Sequence, residues 1–112
     1  MRLVGDLFAY VWSGKDNNCN SYALAGVLKD NRHVVIDPGH VTTPALQEPG
    51  LQRLREEMEG DGLDPDAIGL VLLTHCHPDH SEAATAIREQ TGALVALHEA
   101  EAEIYSHFGG TV

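Results

Sequence analysis

The sequence has few cysteines and few basic residues. Its 112 residues include only two cysteines, Cys19 and Cys76, which is too few for a disulfide framework and favours a reducing compartment. Seven lysines and arginines stand against 17 acidic residues, so the formal net charge is −10. Because a surface this acidic repels phosphate backbones, we do not expect nucleic acid to be a partner.

Long apolar segments are also lacking. No apolar run approaches the roughly 20 residues that a membrane-spanning helix needs. The N-terminal segment is interrupted by Gly5 and Asp6, and it does not follow the charged, apolar, small-residue order of a signal peptide. We therefore predict a cytoplasmic protein with no membrane contact. An apolar content of 43% is typical of one globular domain at this length.

The first half of the chain is predicted to be mainly β-structure. Polar residues 29–32 separate two apolar runs, a pattern that indicates a hairpin, and Pro38 with Gly39 ends the second run. The predicted strands cover residues 7–12, 21–28 and 33–37.

The rest of the chain is predicted to alternate helices and strands. Leu51, Leu54 and Met58 recur at helical spacing, and Asp64 before Pro65 has the pattern of a helix N-cap. A nearly continuous apolar strand, of the type buried on both faces, then leads to a helix, a second strand and a last helix. These four elements are predicted at residues 69–75, 81–91, 93–97 and 99–108.

The residues "LTHCHPDHSE" at positions 73–82 carry the strongest functional signal. His75, His77, Asp79 and His80 lie within six positions, and imidazole and carboxylate groups are common metal ligands. In an extended segment His75 and His77 point to the same side and can reach one ion. Asp79 and His80 can bind a second ion, or Asp79 can hold a water on the first.

The position of this loop supports the metal hypothesis. The loop follows the first strand of a predicted βαβ unit, and ligands bind at the carboxyl ends of strands in such sheets. We interpret the remaining histidines as structural: His33 on the surface, His40 in a solvated turn, and His98 as a cap or packing residue. Cys76 should point away from the metal as a buried thiol.

The motif "THCHPDH" resembles the HxHxDH signature of the metallo-β-lactamase fold hydrolases. The segments "NNCNSYAL", "VVIDPGH", "GLDPDAIGLVLLTH" and "GALVALHEAEAEIY" are similar to the family's flanking strands and helices, and "IDPGH" is most similar to the glyoxalase II branch. The resemblance implies an α/β (α+β) fold with a mixed β-sheet and flanking helices. Residues 1–112 would form a single partial domain, the N-terminal half of the family's αββα sandwich.

The resemblance also implies a zinc-dependent hydrolase with one or two ions, with iron as a possible metal. His75 and His77 would bind the first ion, and His80 and Asp79 the second, unless Asp79 orients the attacking water as the catalytic residue. Asp37 would be a structural residue that hydrogen-bonds the loop. The reaction would be attack of metal-bound hydroxide on an ester, thioester or amide-type bond of a small molecule.

The family's downstream ligands are absent from this sequence, which leaves alternatives open. The chain could be a non-catalytic metal-binding or self-associating half-domain, or an iron-dependent redox relative, although His77 at the second signature position favours zinc and hydrolysis. An uncovered apolar sheet face is expected. We therefore expect either a truncated fragment of the fold, a separate C-terminal half as partner, or a homo-oligomer such as a homodimer. In a homo-oligomer, His107 of a neighbouring copy could supply a ligand.

Overall fold

The computed structural model describes residues 1–107 and 109–110, which form one sheet of six strands with four helices. The strands lie in the sheet in the same order as in the chain. Their bounds are Arg2–Val4 (β1), Leu7–Tyr10 (β2), Ser21–Leu24 (β3), His33–Ile36 (β4), Ile68–Leu72 (β5) and Leu94–Ala96 (β6). The helices are Gly50–Gly60 (α1), Pro78–Ser81 (α2), Ala84–Thr91 (α3) and Glu99–His107 (α4).

The sheet is mixed, with an antiparallel and a parallel half. Strands β1 to β4 pair antiparallel, and β3 with β4 forms the predicted hairpin. Strands β4, β5 and β6 pair parallel, so β5, α2, α3 and β6 make the predicted βαβ unit. Because parallel strands end at the same edge, the residues after β4 and after β5 are brought together there.

One face of the sheet is covered by helices. Leu51, Leu54 and Met58 of α1 are buried at the predicted spacing, and Ile87 of α3 is fully buried. These side chains join the sheet residues Phe8, Val35 and Val71 in one hydrophobic cluster. The predicted N-cap at Asp64 is also confirmed, because its side chain accepts from the backbone N–H of Asp66 in the short helical turn Pro65–Ala67.

The opposite face of the sheet, which we call the open face, is apolar and uncovered in the part of the chain that the structure describes. Cross-strand register places Tyr22, Ile36 and Leu72 side by side, and Leu70 beside Leu94. Tyr22 is 37% exposed, Leu72 39% and Leu94 68%. The expected uncovered face is therefore confirmed. The prediction that the strand at 69–75 is buried on both faces is wrong, because helices cover only one side of it.

Several predicted boundaries were wrong, and hydrogen bonds at the loops explain two of them. Strand β5 ends before Thr74 because the Thr74 N–H donates to the side chain of Asp37. The predicted helix at 81–91 is two helices, because the Ala83 N–H donates to the Gly39 carbonyl oxygen and leaves the helical pattern.

The other strands differ from prediction mainly in length. The strand predicted at 7–12 ends at Tyr10, and the strand predicted at 21–28 ends at Leu24. Strand β6 covers Leu94–Ala96, which is shorter than the predicted range of 93–97. The exposed strand β1 was not predicted. Helix α4 was predicted to 108, and Phe108 lies outside the described residues. None of the described helices has the length and apolar composition that crossing a bilayer requires.

Candidate metal centre

The candidate site lies where β4 and β5 end, and Asp37 is at its centre. Its carboxylate oxygen Oδ1 accepts from the Thr74 backbone N–H at 2.8 Å. Its other oxygen, Oδ2, accepts from the Thr74 hydroxyl at 2.6 Å and lies 3.0 Å from Nδ1 of His80. Asp37 is only 6% exposed. One buried carboxylate therefore connects strand β4 to both ends of the loop at 75–80, which we call the metal loop.

The backbone at Asp37 is itself held in place. Its φ is 51°, in the left-handed region that aspartate tolerates better than most residues. Its carbonyl oxygen accepts from the Ser21 hydroxyl at 2.6 Å and from the Cys19 thiol at 3.3 Å. Strand β3 and the turn before it thus fix the direction in which the Asp37 carboxylate points.

These hydrogen bonds also orient two of the predicted ligands. A hydroxyl has one proton, and Thr74 gives its proton to Asp37, so its oxygen can accept from Nδ1–H of His75 at 2.9 Å. Asp37 likewise accepts from Nδ1–H of His80. In this arrangement both imidazoles keep Nε2 as the free nitrogen. Partners of this kind fix the ring orientation and tautomer of metal-binding histidines.

Three side chains are close enough to bind one ion. Ligand atoms of Asp37, His75 and His80 all lie within 4.8 Å of one another, and the rings of His75 and His80 are 4.2 Å apart. The exposed His77 ring lies 4.7 Å from the His75 ring, and Oδ2 of Asp79 lies 3.8 Å from Nε2 of His80. The structure therefore groups His75 and His80 with Asp37, and the ligand roles of all four predicted residues stay predictions.

The metal loop is also joined to the turn after β4. The Gly39 N–H donates to the His80 carbonyl oxygen at 3.0 Å, and the Gly39 carbonyl oxygen accepts from Ala83 at 2.7 Å. Gly39 has φ of 80°, and a Cβ at this position would collide with Oδ1 of Asn18. Only glycine fits this contact, which fixes the end of α2 against the turn.

Two histidines that were predicted to be solvent-exposed are buried in the structure. His40 is buried rather than solvated, with Nδ1 3.3 Å from Glu82 Oε1, because the turn after β4 packs under the metal loop. His33 is also buried, and its Nδ1 accepts from the Gly26 N–H. Burial lowers the pKa of His33, so it is a neutral hydrogen-bond acceptor in the fold and not a surface residue.

The other histidines and the cysteines behave largely as expected. The exposed His98 accepts from the Ala100 N–H at the start of α4, as a capping residue does. His98 and His107 belong to no group of three ligating side chains among the residues that the structure describes. Both cysteines are free and buried. Burial, with the Asp37 charge, raises the pKa of Cys19 to about 12.

Two residues of the candidate site were underestimated from the sequence. Asp37 was predicted as a structural residue, and it also lies within ligand distance of His75 and His80. Thr74 was not singled out. The signal for both was available, because an aspartate ending one buried strand and a threonine ending the next must meet if the strands are adjacent and parallel.

The donor set fits a borderline metal such as zinc. Zinc binds imidazole nitrogen and carboxylate oxygen, and the structure supplies two imidazoles whose Nδ1 atoms are already hydrogen-bonded. The free Nε2 atoms and the nearby carboxylates give nitrogen and oxygen ligands from one short loop.

One protein-family model matches most of this chain. The model described as the metallo-beta-lactamase superfamily matches residues 14–111. The chain belongs to the metallo-β-lactamase superfamily. A hydroxyacylglutathione hydrolase from Albidiferax ferrireducens is 36% identical over 72 residues, which are 62% of this chain and 22% of that protein. The glyoxalase II likeness inferred from "IDPGH" is therefore confirmed.

Solved structures of the metallo-β-lactamase superfamily share the fold. The metallo-β-lactamase GOB-18 from Elizabethkingia meningoseptica matches 93% of this chain with a TM-score of 0.72 and 21% identity. FEZ-1 from Legionella gormanii matches 92% with a TM-score of 0.72 and 16% identity. This chain covers 33% of the first and 34% of the second. It thus spans about a third of these structures and about a fifth of the curated relative.

Proposed function

We propose that this chain carries the histidine-loop half of a zinc-dependent hydrolase site. The observation that supports the proposal is the buried Asp37 carboxylate, which holds His75 through Thr74 and holds His80 directly. Such preorganisation is expected of metal ligands and would serve no purpose in an unused surface loop.

The ligand roles follow the order of the loop. We assign His75 and His77 to one ion, because they stand at the first two histidine positions of the family signature, and their rings lie 4.7 Å apart. We assign His80 and Asp79 to a second ion, with Asp79 also able to accept a proton or hydrogen bond from an attacking water. Zinc, when bound, supplies Lewis-acid activation of water and of the scissile carbonyl group at neutral pH.

The other residues of the site contribute orientation and exclusion of water. Thr74 and Asp37 keep the two Nε2 atoms pointing outward, while the Gly39 contacts keep α2 in place. Because Asp37 is buried, its hydrogen bonds to the loop are shielded from competing water. The chain thus prepares the ligand geometry before any substrate arrives.

We propose a thioester or ester of a small molecule as the substrate class. The support is the hydroxyacylglutathione hydrolase relative, whose name indicates a glutathione thioester. The two solved β-lactamase structures are only 21% and 16% identical to this chain, so they support the fold alone.

A hydrolysis assay with zinc tests this function. The chain is incubated with zinc and a hydroxyacyl-glutathione thioester, and released thiol is measured with and without EDTA. We expect zinc-dependent turnover that EDTA abolishes and that Asp79→Asn lowers by about 100-fold or more, as losses of groups acting in proton transfer do. Glu59→Gln, a change on the exposed surface of α1, is the matched control. Turnover that is insensitive to EDTA and to Asp79→Asn would refute the proposal.

A second candidate is a metal-binding half-domain without catalysis of its own. It is supported by the open face, which remains available to a partner. In that case zinc binds at the metal loop, and no thioester is hydrolysed by this chain alone. The same assay, with zinc binding measured in parallel, separates the two functions.

A further inference from the structure

Cys76 lies between His75 and His77, the first two histidines of the metal loop, and its side chain does not face the proposed metal. Its side chain is 3% exposed, whereas His75 is half-buried and His77 is exposed. This order of burial places the thiol on the inner side of the loop and the two imidazoles nearer to its surface. A contact that holds Cys76 inward therefore helps to keep both neighbouring imidazoles on the outer side of the loop.

Cys76 is held in this position by groups on both sides. Its thiol donates to Oε2 of Glu101 at 3.3 Å, and its backbone N–H donates to Oε1 of the same carboxylate at 3.4 Å. Its carbonyl oxygen accepts from the buried Ser81 hydroxyl at 2.9 Å. Both carboxylate oxygens of Glu101, on α4, thus accept hydrogen bonds from Cys76 in the metal loop.

We infer that Glu101 is a positioning residue for the metal site, because it holds Cys76 inward and thereby directs His75 and His77 outward. The inference rests on the proposed metal-binding function. It assigns a role in the site to helix α4, which follows β6 and lies outside the metal loop. Glu101 acts through Cys76 and does not itself touch the metal.

The chemistry of the loop explains why such a contact is useful. A cysteine thiolate is a strong ligand for zinc and for other borderline or soft metals. A cysteine between two histidine ligands could replace one of them if the loop rotated. By accepting both the N–H and the S–H of Cys76, Glu101 keeps the site built from nitrogen and oxygen.

The neighbouring acidic residues of α4 show that Glu101 differs from an ordinary surface glutamate. Glu99 and Glu103 are exposed, whereas Glu101 is half-buried against the metal loop. Glu103 lies only half a turn further along the same helix, so Glu103→Gln changes the charge of α4 equally without touching Cys76. It is the matched control for Glu101→Gln.

Zinc affinity is the first measurement. Zinc binding to the chain is measured by competition with a chromophoric chelator for the wild type, Glu101→Gln and Glu103→Gln. We expect Glu101→Gln to weaken zinc binding by about 10-fold, the low end of the effect of residues that orient ligands, and Glu103→Gln to have no effect. Equal affinities for the two variants would overturn the inference.

Cobalt absorption reports the direction of Cys76 itself. Co²⁺ replaces zinc, and a sulfur-to-cobalt charge-transfer band appears only if a thiolate binds the ion. We expect no such band for the wild type, a band for Glu101→Ala, and its loss in the double variant Glu101→Ala/Cys76→Ser. A sulfur band in the wild type, or none in Glu101→Ala, would contradict the proposed role.

Hydrogen exchange separates this inference from the proposed function. If even the wild type takes up no metal, the proposed function fails, and the contact is then tested in the metal-free protein. The Cys76 amide should exchange faster in Glu101→Gln than in Glu103→Gln. The reason is that the glutamine side chain at position 101 offers one neutral acceptor oxygen in place of the two charged oxygens of the carboxylate. Identical exchange rates in the two variants would overturn the role of Glu101 independently of any metal.

Discussion

Replacing Asp37 and Asp79 separately distinguishes a residue that orients the site from one that binds the metal. Asp37→Ala removes the acceptor of three hydrogen bonds, two from Thr74 and one from His80. Hydrogen bonds to a charged group contribute about 1.5–3 kcal/mol each. Part of this loss is offset because a buried charge is also removed and the exposed Thr74 can bond to water. We therefore expect the metal-free chain to lose about 2–4 kcal/mol of unfolding free energy.

The same variant should also weaken zinc binding. Loss of the contacts that orient His75 and His80 should cost about 10–100-fold in affinity, equal to about 1.4–2.8 kcal/mol. Asp79→Ala should weaken zinc binding as well, but it should change the metal-free stability by less than about 1 kcal/mol, because the Asp79 side chain is 27% exposed and that of Asp37 only 8%. Urea unfolding of the metal-free proteins and zinc titration give the two quantities. An Asp37→Ala chain as stable as Asp79→Ala would refute the central role of Asp37.

Three further outcomes are expected. Asp16 accepts from the backbone N–H groups of Leu46 and Ala45, and these bonds lower its pKa to about 2. The stability that they give is complete above about pH 4 and is lost as the pH falls towards 2. Asp16→Asn should therefore reduce the loss of unfolding free energy between about pH 4 and about pH 2, measured by urea unfolding. Met58→Ala, at a fully buried core position, should cost about 2–5 kcal/mol in urea unfolding, and a smaller loss would mean that α1 packs loosely. The open face should make the isolated chain self-associate, and Leu94→Lys should lower its mass in light scattering, whereas a monomeric wild type would contradict this expectation.

The sequence predicted those features that depend on local pattern. The hairpin of β3 and β4, the buried face of α1 and the βαβ unit follow from apolar spacing and turn residues. The metal loop was evident because four ligand-type residues fall within six positions after a strand. The resemblance of "THCHPDH" to the family signature then gave the fold, and the family match confirmed it.

The features that the sequence did not predict depend on contacts between distant segments. The end of β5 is set by Asp37, and the break between α2 and α3 is set by Gly39. The burial of His33 and His40 likewise arises from packing against other elements. An apolar strand such as β5 can be buried on both faces, and only the tertiary structure shows that helices cover one of them.

Zinc titration of the purified chain by calorimetry tests the central claim most directly. The wild type is compared with the double variant His75→Ala/His80→Ala, because these two side chains are the ones that Asp37 orients. We predict saturable zinc binding by the wild type and a loss of at least about 100-fold in the double variant. Equal binding by the two proteins, or no binding by the wild type, would contradict a metal site at this loop.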